Sequence, residues 1–271
     1  MNDSPIGFDS PLVTIVTVVF NSVDLIEETI QSVITQIYPN IEYIIIDGAS
    51  TDGTLDIIKK YDKNINCWIT EKDNGISDAF NKGIRLASGE WINFLNAGDV
   101  FNNENVLSNI FSKFNFKGYD VVYGNTLLIS NEEESKIQIN NHKNFKITDS
   151  HNPICHQSSF VRRRLLKELK FNDYKYSMDL DFWLRCIKEG VNFYHFDLIV
   201  SNYLVGGVSS NPKTAVSVLI EHRIVKMLVM KHVNFNLILK LSMDVIVLKG
   251  KLVLKRLVGY YIYLKLKKIF S

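Results

Sequence analysis

The sequence lacks a long uncharged hydrophobic run, an internal repeat and a cysteine framework. Its three cysteines, Cys67, Cys155 and Cys186, are odd in number and widely separated. This spacing excludes a small disulfide scaffold and the paired cysteines of a zinc or redox motif, so we expect reduced thiols in a cytosolic protein. No uncharged stretch approaches the roughly 18 to 20 residues that a membrane-spanning helix needs, so we expect no transmembrane helix.

The sequence also lacks the basic excess that is typical of nucleic-acid-binding proteins. It has 31 basic and 29 acidic side chains among 271 residues, and a formal net charge of +2, which predicts no nucleic-acid partner. The charge is unevenly distributed. Residues 231–271 contain nine Lys or Arg and one Asp, so this segment carries +8 and the rest of the chain carries −6.

Residues 211–271 are interpreted as a basic helical tail. Within 236–271, apolar residues recur near helical spacing with lysines between them, a pattern typical of a helix lying on an anionic membrane surface. A helix that packs on the core or joins a homo-oligomer is the alternative. Residues 1–10 lack the basic and then apolar stretch of an export signal. We therefore predict a cytoplasmic protein associated peripherally with the inner face of the cell membrane.

Strands and helices alternate through the first hundred residues. Apolar β-branched runs predict strands, and apolar residues at helical spacing predict helices, the first of them capped by Asp24. The predicted elements are strand 12–20, helix 24–36, strand 42–47, helix 54–61, strand 66–70, helix 77–87 and strand 91–95. This order predicts an α/β fold with a mixed, mainly parallel sheet flanked by helices. Later elements are helix 104–114, a hairpin of 119–130 with 136–139, helix 179–189 and helical structure from 215.

Polar clusters follow the predicted strands at one edge of the sheet. They contain the carboxylates Asp47, Asp52, Asp73, Asp78 and Asp99. Ligands in such sheets bind beyond the carboxyl ends of the strands. Carboxylates repel a pyrophosphate unless a divalent cation lies between the two groups. The pattern therefore predicts a site for a nucleotide together with a metal ion, and a simple turn-capping role for Asp47 is the alternative.

Four segments resemble the ordered motifs of family 2 glycosyltransferases: PLVTIVTVVFNS, YIIIDGASTDGT, EKDNGISDAFNKGIRLASGEWINFLNAGD and YSMDLDFWLR. The resemblance covers about residues 11–210 and is greatest to bacterial enzymes that build capsule, O-antigen and colanic-acid-like polysaccharides. It implies a GT-A fold in residues 1–210, with a nucleotide-binding half in 11–100 and an acceptor half in 101–210. It also implies an inverting transfer of a sugar from a nucleoside diphosphate sugar, here a UDP-sugar, to a saccharide or lipid-linked saccharide.

The resemblance implies a set of donor-binding residues in this chain. Asp47 matches the acid that binds the base, and Phe20 with Asn21 matches the loop that lies against the nucleoside. The other donor positions carried over are Asp52, Asp78, Lys82, Asn96 and His156.

Asp99 matches the last acid of the family's D-x-D metal element, which implies a bound Mg²⁺ or Mn²⁺. Asn96 and Gly98 replace the earlier acids of that element, which weakens the expectation of a metal. Phe80 stands where many relatives carry an Arg near the diphosphate. Lys82 either supplies that positive charge or faces solvent.

The acceptor side of the resemblance centres on Asp179. An inverting transfer needs one general base beside the acceptor hydroxyl, and Asp179 aligns with that base, with Asp181 as the alternative. Both carboxylates could instead cap or charge the start of a helix. His156, within HNPICHQSSF, faces either the donor phosphates or the acceptor, or is a structural hydrogen bonder.

Two other functions remain open at this point. A sugar-nucleotide pyrophosphorylase also has an α/β nucleotide-binding fold, although its glycine-rich phosphate loop is missing from this sequence. A catalytically inactive nucleotide-sugar-binding scaffold is conceivable because the metal element is eroded.

Overall fold

The computed structural model describes residues 10–129, 136–140, 142–143, 152–205 and 214–230. The strands are β1 (Val13–Val19), β2 (Ile41–Asp47), β3 (Cys67–Thr70), β4 (Trp91–Phe94), β5 (Val100–Phe101), β6 (Val121–Ile129), β7 (Lys136–Gln138), β8 (Ser159–Arg162) and β9 (Phe193–Leu204). The α-helices are α1 (Val23–Ile34), α2 (Thr54–Lys60), α3 (Ile76–Leu86), α4 (Val106–Phe111), α5 (Arg163–Leu169), α6 (Met178–Lys188) and α7 (Ala215–Met230).

The first four strands pair in parallel at one side of the sheet, and β6 also pairs in parallel with β9. The strand order is β3-β2-β1-β4-β8-β6-β9-β5, with β7 paired to β6. All seven residues of β1 are buried, because β1 lies between β2 and β4 and has helices on both faces of the sheet. The predicted α/β class with a mixed sheet and flanking helices is confirmed.

The second half of the sheet is antiparallel where it joins the first. β8 runs antiparallel to β4 and to β6, and β6 with β7 forms the predicted hairpin. The sequence pattern predicted neither β5, β8 nor α5, and it gave no bounds for β9. These elements are short or have mixed polarity, so their periodicity is weak and tertiary pairing decides their conformation.

Two apolar layers cover the faces of the sheet. One contains Ile26 and Ile30 of α1 with Leu107 and Phe111 of α4. The other contains residues of α3, α5 and α6. These layers hold the carboxyl ends of β1, β2 and β4 in fixed register, with Val19 opposite Asp47 and Val16 opposite Phe94.

Two helix boundaries differ from the sequence prediction. Asp24 is not the cap of α1, because the Ser22 carbonyl already accepts the amide hydrogens of Leu25 and Ile26 and Ser22 is the N-cap. Asp24 instead lies in the first turn, where the helix dipole favours an acid. The helix predicted at 104–114 is shorter and runs only over Val106–Phe111.

The described part of the C-terminal region is α7, as the helical pattern from 215 predicted. α7 packs on α6 through Leu180, Leu184, Val225 and Val229. Residues 236–271, the predicted membrane-binding segment, lie outside the described residues, and the domain boundary at 210 stays a prediction. Within the described ranges, no helix combines the length and apolarity needed to cross a membrane.

Candidate active site

Asp47 ends β2 at the predicted ligand-binding edge of the sheet. Its side chain is fully buried. Oδ2 accepts hydrogen bonds from the Ser50 amide at 3.0 Å and the Thr70 hydroxyl at 2.6 Å. Oδ1 is buried and has no hydrogen-bond partner among the described residues. Because a buried carboxylate oxygen needs a partner, Oδ1 is available to a donor on a ligand.

Phe20 and Gly48 shape the surface next to Asp47. Phe20 follows β1 and is 62% exposed, which is unusual for a large aromatic ring at the end of a buried strand. A Cβ atom at Gly48 would lie 2.9 Å from Asp73 Oδ2 and 3.3 Å from Phe20 Cδ2. Glycine therefore keeps open the space between the Phe20 ring and Asp73.

Asn21 and Asp52 tie together the loops after β1 and β2. The Asn21 amide donates to Ser50 Oγ at 2.8 Å, and Asn21 Oδ1 accepts the Thr51 amide at 2.9 Å. Asp52 accepts the Thr54 hydroxyl at 2.6 Å and the Val23 amide at 3.0 Å. The Thr54 hydrogen bond is the main reason that the pKa of Asp52 is lowered. Both residues thus hold loop structure, and their contact with a nucleotide stays a prediction.

Lys82 is buried, so the alternative that it faces solvent is wrong. It is 6% exposed, and its Nζ lies 2.6 Å from Asp73, 2.8 Å from Glu71 and 3.5 Å from Asp78. Burial alone would lower the pKa of Lys82, but its hydrogen bonds to Asp73 and Glu71 and the charges of Asp73 and Asp78 outweigh burial and raise the pKa. Its positive charge is therefore already matched by carboxylates, and a role toward a diphosphate stays a prediction.

Phe80 occupies the core of the protein rather than the ligand edge. Its ring stacks on Phe94 with centroids 4.3 Å apart and meets the His156 ring edge-on at 5.6 Å. Phe80, which stands where many relatives carry an Arg, is thus an apolar residue that packs against His156.

A cavity of about 220 Å³ lies where the two halves of the domain meet. Its lining residues are Asn74, Ser77, Asp78, Asn81, Phe171 and Asp173. Asn81 bridges the halves, because its amide group donates to the Phe171 carbonyl and accepts the Phe171 N–H. Asp78 lines this cavity, and its contact with a nucleotide stays a prediction.

Asn96 and Asp99 follow β4 and face His156. Asn96 Nδ2 lies 3.1 Å from His156 Nε2, and Asn96 Oδ1 is buried without a partner among the described residues. Burial raises the pKa of Asp99 to about 7, which the charge of His156 and a hydrogen bond from the Leu204 backbone only partly offset. A buried carboxylate of this kind is stabilised in its ionised form by a bound cation.

The residues around Asp99 fit a metal only in part. Among the described residues there is no group of three or more His, Cys, Asp or Glu side chains placed to hold a metal ion. Asp99 and the free Oδ1 of Asn96 are oxygen donors of the type that Mg²⁺ and Mn²⁺ prefer. A cation here would take its remaining ligands from water and from the substrate.

Asp179 lies in the first turn of α6 and is held on both oxygens. Oδ2 accepts from Asn152 Nδ2 at 2.6 Å and lies 3.4 Å from His156 Nδ1, and Oδ1 accepts the Leu180 amide at 2.8 Å. Burial would raise the pKa of Asp179, but the hydrogen bond and charge of His156 and the charge of His222 outweigh it and lower the pKa. Asp179 is therefore ionised at neutral pH and can accept a proton.

His156 connects the loop after β4 to the start of α6. Its Nε2 lies 3.1 Å from Asn96 Nδ2, and its Nδ1 lies 3.4 Å from Asp179 Oδ2. His156 thus lies between the predicted metal residue and the predicted base.

Asp181 points away from Asp179, as their spacing near a helix start predicted. It is 1% exposed, and its Oδ2 accepts Arg185 Nε at 2.8 Å and Asn172 Nδ2 at 2.9 Å. Arg185 in turn donates to the carbonyls of Leu169 and Lys170 after α5. These contacts support a structural role for Asp181 and favour Asp179 as the base.

Two residues that contact the start of α6 were not predicted from the sequence. Asn152 bonds Asp179 directly, and Glu221 of α7 accepts the backbone amides of Tyr176 and Ser177. Asn152 lies in the HNPICHQSSF segment already singled out, where it carried no signal of its own. Glu221 is separated from Tyr176 by 45 residues, and its helical pattern gave no indication of this contact.

Comparison with protein families gives one match to more than half of the chain. Residues 14–170 match the model described as Glycosyl transferase family 2. TuaG of Bacillus subtilis (strain 168), named for teichuronic acid biosynthesis, is 26% identical over 212 residues, which are 74% of this chain and 82% of TuaG. A Mycobacterium bovis (strain BCG / Pasteur 1173P2) protein named PGL/p-HBAD biosynthesis glycosyltransferase is 27% identical over 217 residues, with coverages of 74% and 80%.

Two solved structures share the fold at low sequence identity. S. aureus TarS 1–349 in complex with UDP has a TM-score of 0.60 and 19% identity, over 80% of this chain and 65% of TarS 1–349. The mannosyltransferase PcManGT from Pyrobaculum calidifontis, in complex with GDP-Man and Mn²⁺, has a TM-score of 0.64 and 17% identity, over 96% and 79%. This chain thus spans just under two thirds of the TarS fragment.

Proposed function

The chain belongs to glycosyl transferase family 2 and is a glycosyltransferase, and we propose that it transfers a sugar with inversion from a UDP-sugar to a hydroxyl of a growing or lipid-linked saccharide. Relatives named for teichuronic acid and PGL/p-HBAD biosynthesis support a role in surface glycan synthesis. The observation that carries the mechanism is the ionised, doubly anchored Asp179 next to His156 and the loop after β4.

The edge formed by β1 and β2 would bind the nucleoside. Asp47 Oδ1 has no partner among the described residues and would accept a base N–H. The exposed Phe20 ring would stack on the base, with Gly48 keeping open the space between that ring and Asp73. TarS bound to UDP shares this fold, which is consistent with a uridine nucleotide.

Asp99 would hold Mg²⁺ or Mn²⁺ with Asn96 Oδ1. When bound, the cation neutralises the diphosphate and so stabilises the leaving group. A cation would be needed because the positive charge of Lys82 is already paired with Glu71, Asp73 and Asp78. Mn²⁺ in the PcManGT complex supports a metal in this fold.

Asp179 would act as the general base for the acceptor hydroxyl. An inverting displacement requires attack from the face opposite the departing diphosphate. Asn152, His156 and the Leu180 amide hold the carboxylate in one orientation and keep it ionised. The acceptor oxygen would form the new bond to the anomeric carbon as its proton passes to Asp179 and the diphosphate leaves.

A membrane location on the inner face would suit a lipid-linked acceptor. Two observations support it: the +8 charge of residues 231–271 and the exposed apolar side chains Ile220, Ile224 and Leu228 on one face of α7. Anionic lipid attracts such a basic apolar segment.

The test measures release of nucleoside diphosphate from UDP-sugars with and without a lipid-linked saccharide acceptor. We expect acceptor-dependent release that falls by about 10²- to 10⁴-fold in Asp179→Asn, while calorimetry shows donor binding unchanged. Asp181→Asn is the comparison at the alternative base. Unchanged turnover in Asp179→Asn would contradict the assignment of the base, and donor binding insensitive to EDTA would contradict the metal. Donor binding without transfer to any acceptor would favour an inactive scaffold.

A further inference from the structure

α7 contributes a carboxylate to the start of α6. Glu221 Oε1 accepts the backbone amide of Tyr176 at 2.8 Å and that of Ser177 at 3.0 Å. Asp179 follows Ser177 by only two residues. α7 and the start of α6 both lie outside residues 14–170, which match the family model.

The start of α6 lacks the usual hydrogen bond from its own N-cap side chain. Ser177 is the N-cap residue, but its side chain makes no capping hydrogen bond, and its Oγ is buried without a partner among the described residues. Backbone amides at a helix start need an acceptor from outside the helix. Glu221 supplies an acceptor for the amides of the N-cap residue Ser177 and of Tyr176 before it, and it places a negative charge where the helix dipole favours one.

Two further contacts fix α7 along α6. Leu180 and Leu184 pack against Val225 and Val229, and Lys188 Nζ donates to the Val229 carbonyl at 3.0 Å. Glu221 therefore acts at the end of the interface next to Asp179, and Lys188 acts at the opposite end.

We propose that Glu221 is a positioning residue that sets the orientation of the Asp179 carboxylate by fixing the start of α6. This inference rests on the proposed role of Asp179 as the base. The carboxylate must hold its hydrogen bonds to Asn152 and His156 while it faces the acceptor. A displacement of about 1 Å at a reacting group can cost about 10²-fold in rate, so loosening the backbone at Tyr176 and Ser177 changes turnover without touching the donor site.

The experiment compares Glu221→Ala, Glu221→Gln and Lys188→Met in the full chain. Glu221→Ala is expected to lower kcat by about 10- to 100-fold with the KM for the donor within about twofold. Glu221→Gln keeps a carbonyl oxygen for the two amides and is expected to recover most of the loss. Lys188→Met weakens the far end of the same interface, so it is expected to lower Tm but to leave kcat within about twofold of the parent.

Two additional measurements separate this inference from the proposed function. Hydrogen exchange of the peptide covering 174–184 is expected to speed up in Glu221→Ala and to stay close to the parent in Lys188→Met. In an Asp179→Asn background, Glu221→Ala is expected to cause no further loss of turnover. Equal kcat losses in Glu221→Ala and Lys188→Met, unchanged exchange, or an additive loss in the double variant would overturn the inference. Absence of transfer by the parent chain would instead contradict the proposed function, and the exchange data would still test the cap.

Discussion

The donor and acceptor halves of the domain place their polar residues in different ways. In the donor half, Asp47 ends β2 and Asp99 follows β4, the two strands that pair in parallel with β1 on either side, so the register of the sheet alone brings them to one edge. In the acceptor half, Asp179 is positioned by Asn152 and His156 from a separate segment and by the docking of α7 on α6. Parallel strands make convergence predictable, whereas the acceptor half depends on tertiary contacts.

In both halves, a carboxylate from a different part of the chain nevertheless accepts a backbone amide at or just before the start of a helix. Asp52, in the loop after β2, accepts the Val23 amide at the start of α1. Glu221 does the same just before α6. The two carboxylates differ in where they lie. Asp52 is exposed on a neighbouring βα loop, whereas Glu221 belongs to α7, a helix near the end of the described chain.

The largest effect on stability is expected from the buried ion pair of the acceptor half. Asp181→Ala leaves Arg185 without its carboxylate partner, which should cost about 3 to 5 kcal/mol in the free energy of unfolding, measured by urea denaturation. Asp56→Ala in the donor half, which breaks an exposed pair with Lys59, is the control and should cause no measurable change. A loss of under about 1 kcal/mol for Asp181→Ala would show that the acceptor half does not depend on this pair.

A second effect is expected from the pH dependence of Asp99 in the donor half. Its folded-state pKa of about 7 lies above the ordinary aspartate value. The stability it contributes is therefore fully present below pH about 4 and is lost as the pH rises through 7. The slope should reach about 1.4 kcal/mol per pH unit in the metal-free protein. Asp99→Asn should remove this slope in thermal melts from pH 4 to 8, and an unchanged pH profile would contradict the assignment.

A third, smaller effect is expected at the exposed aromatic ring of the donor edge. Phe20→Ala removes a stacking surface and should weaken uridine diphosphate binding by about 1 to 3 kcal/mol, measured by calorimetry, with little change in Tm. Ile37→Ala, which truncates another exposed apolar side chain (59% exposed), should leave binding unchanged. Equal affinities for all three proteins would place the base elsewhere.

The smallest effect is expected from the exposed carboxylate of the donor half. Asp52→Ala should speed hydrogen exchange at the start of α1, around residues 22–26, because the Val23 amide loses its acceptor. The start of α6 should be unaffected, which is the reverse of the pattern expected for Glu221→Ala. Faster exchange at both helix starts in Asp52→Ala would show that the two halves are coupled.

The part of the fold that could be predicted from the sequence is the regular alternation of strands and helices in the first hundred residues. The strands 12–20, 42–47, 66–70 and 91–95 and their helices were located to within a few residues, because buried parallel strands are apolar throughout. β5, β8 and α5 were not, since their two to seven residues carry too little periodicity to be recognised. At the site, the residue types and strand ends indicated Asp47 and Asp99, but the carboxylate cluster around Lys82 was not foreseen.

The sequence by itself determined the family, the α/β class and the strand ends at which the carboxylates gather, because local apolar patterns and motif order carry that information along the chain. Only the tertiary structure showed how the two carboxylates differ, since it buries Asp181 against Arg185 and turns Asp179 toward His156. It also showed Glu221 at the start of α6. Contacts between elements far apart in sequence depend on packing, and no local pattern records them.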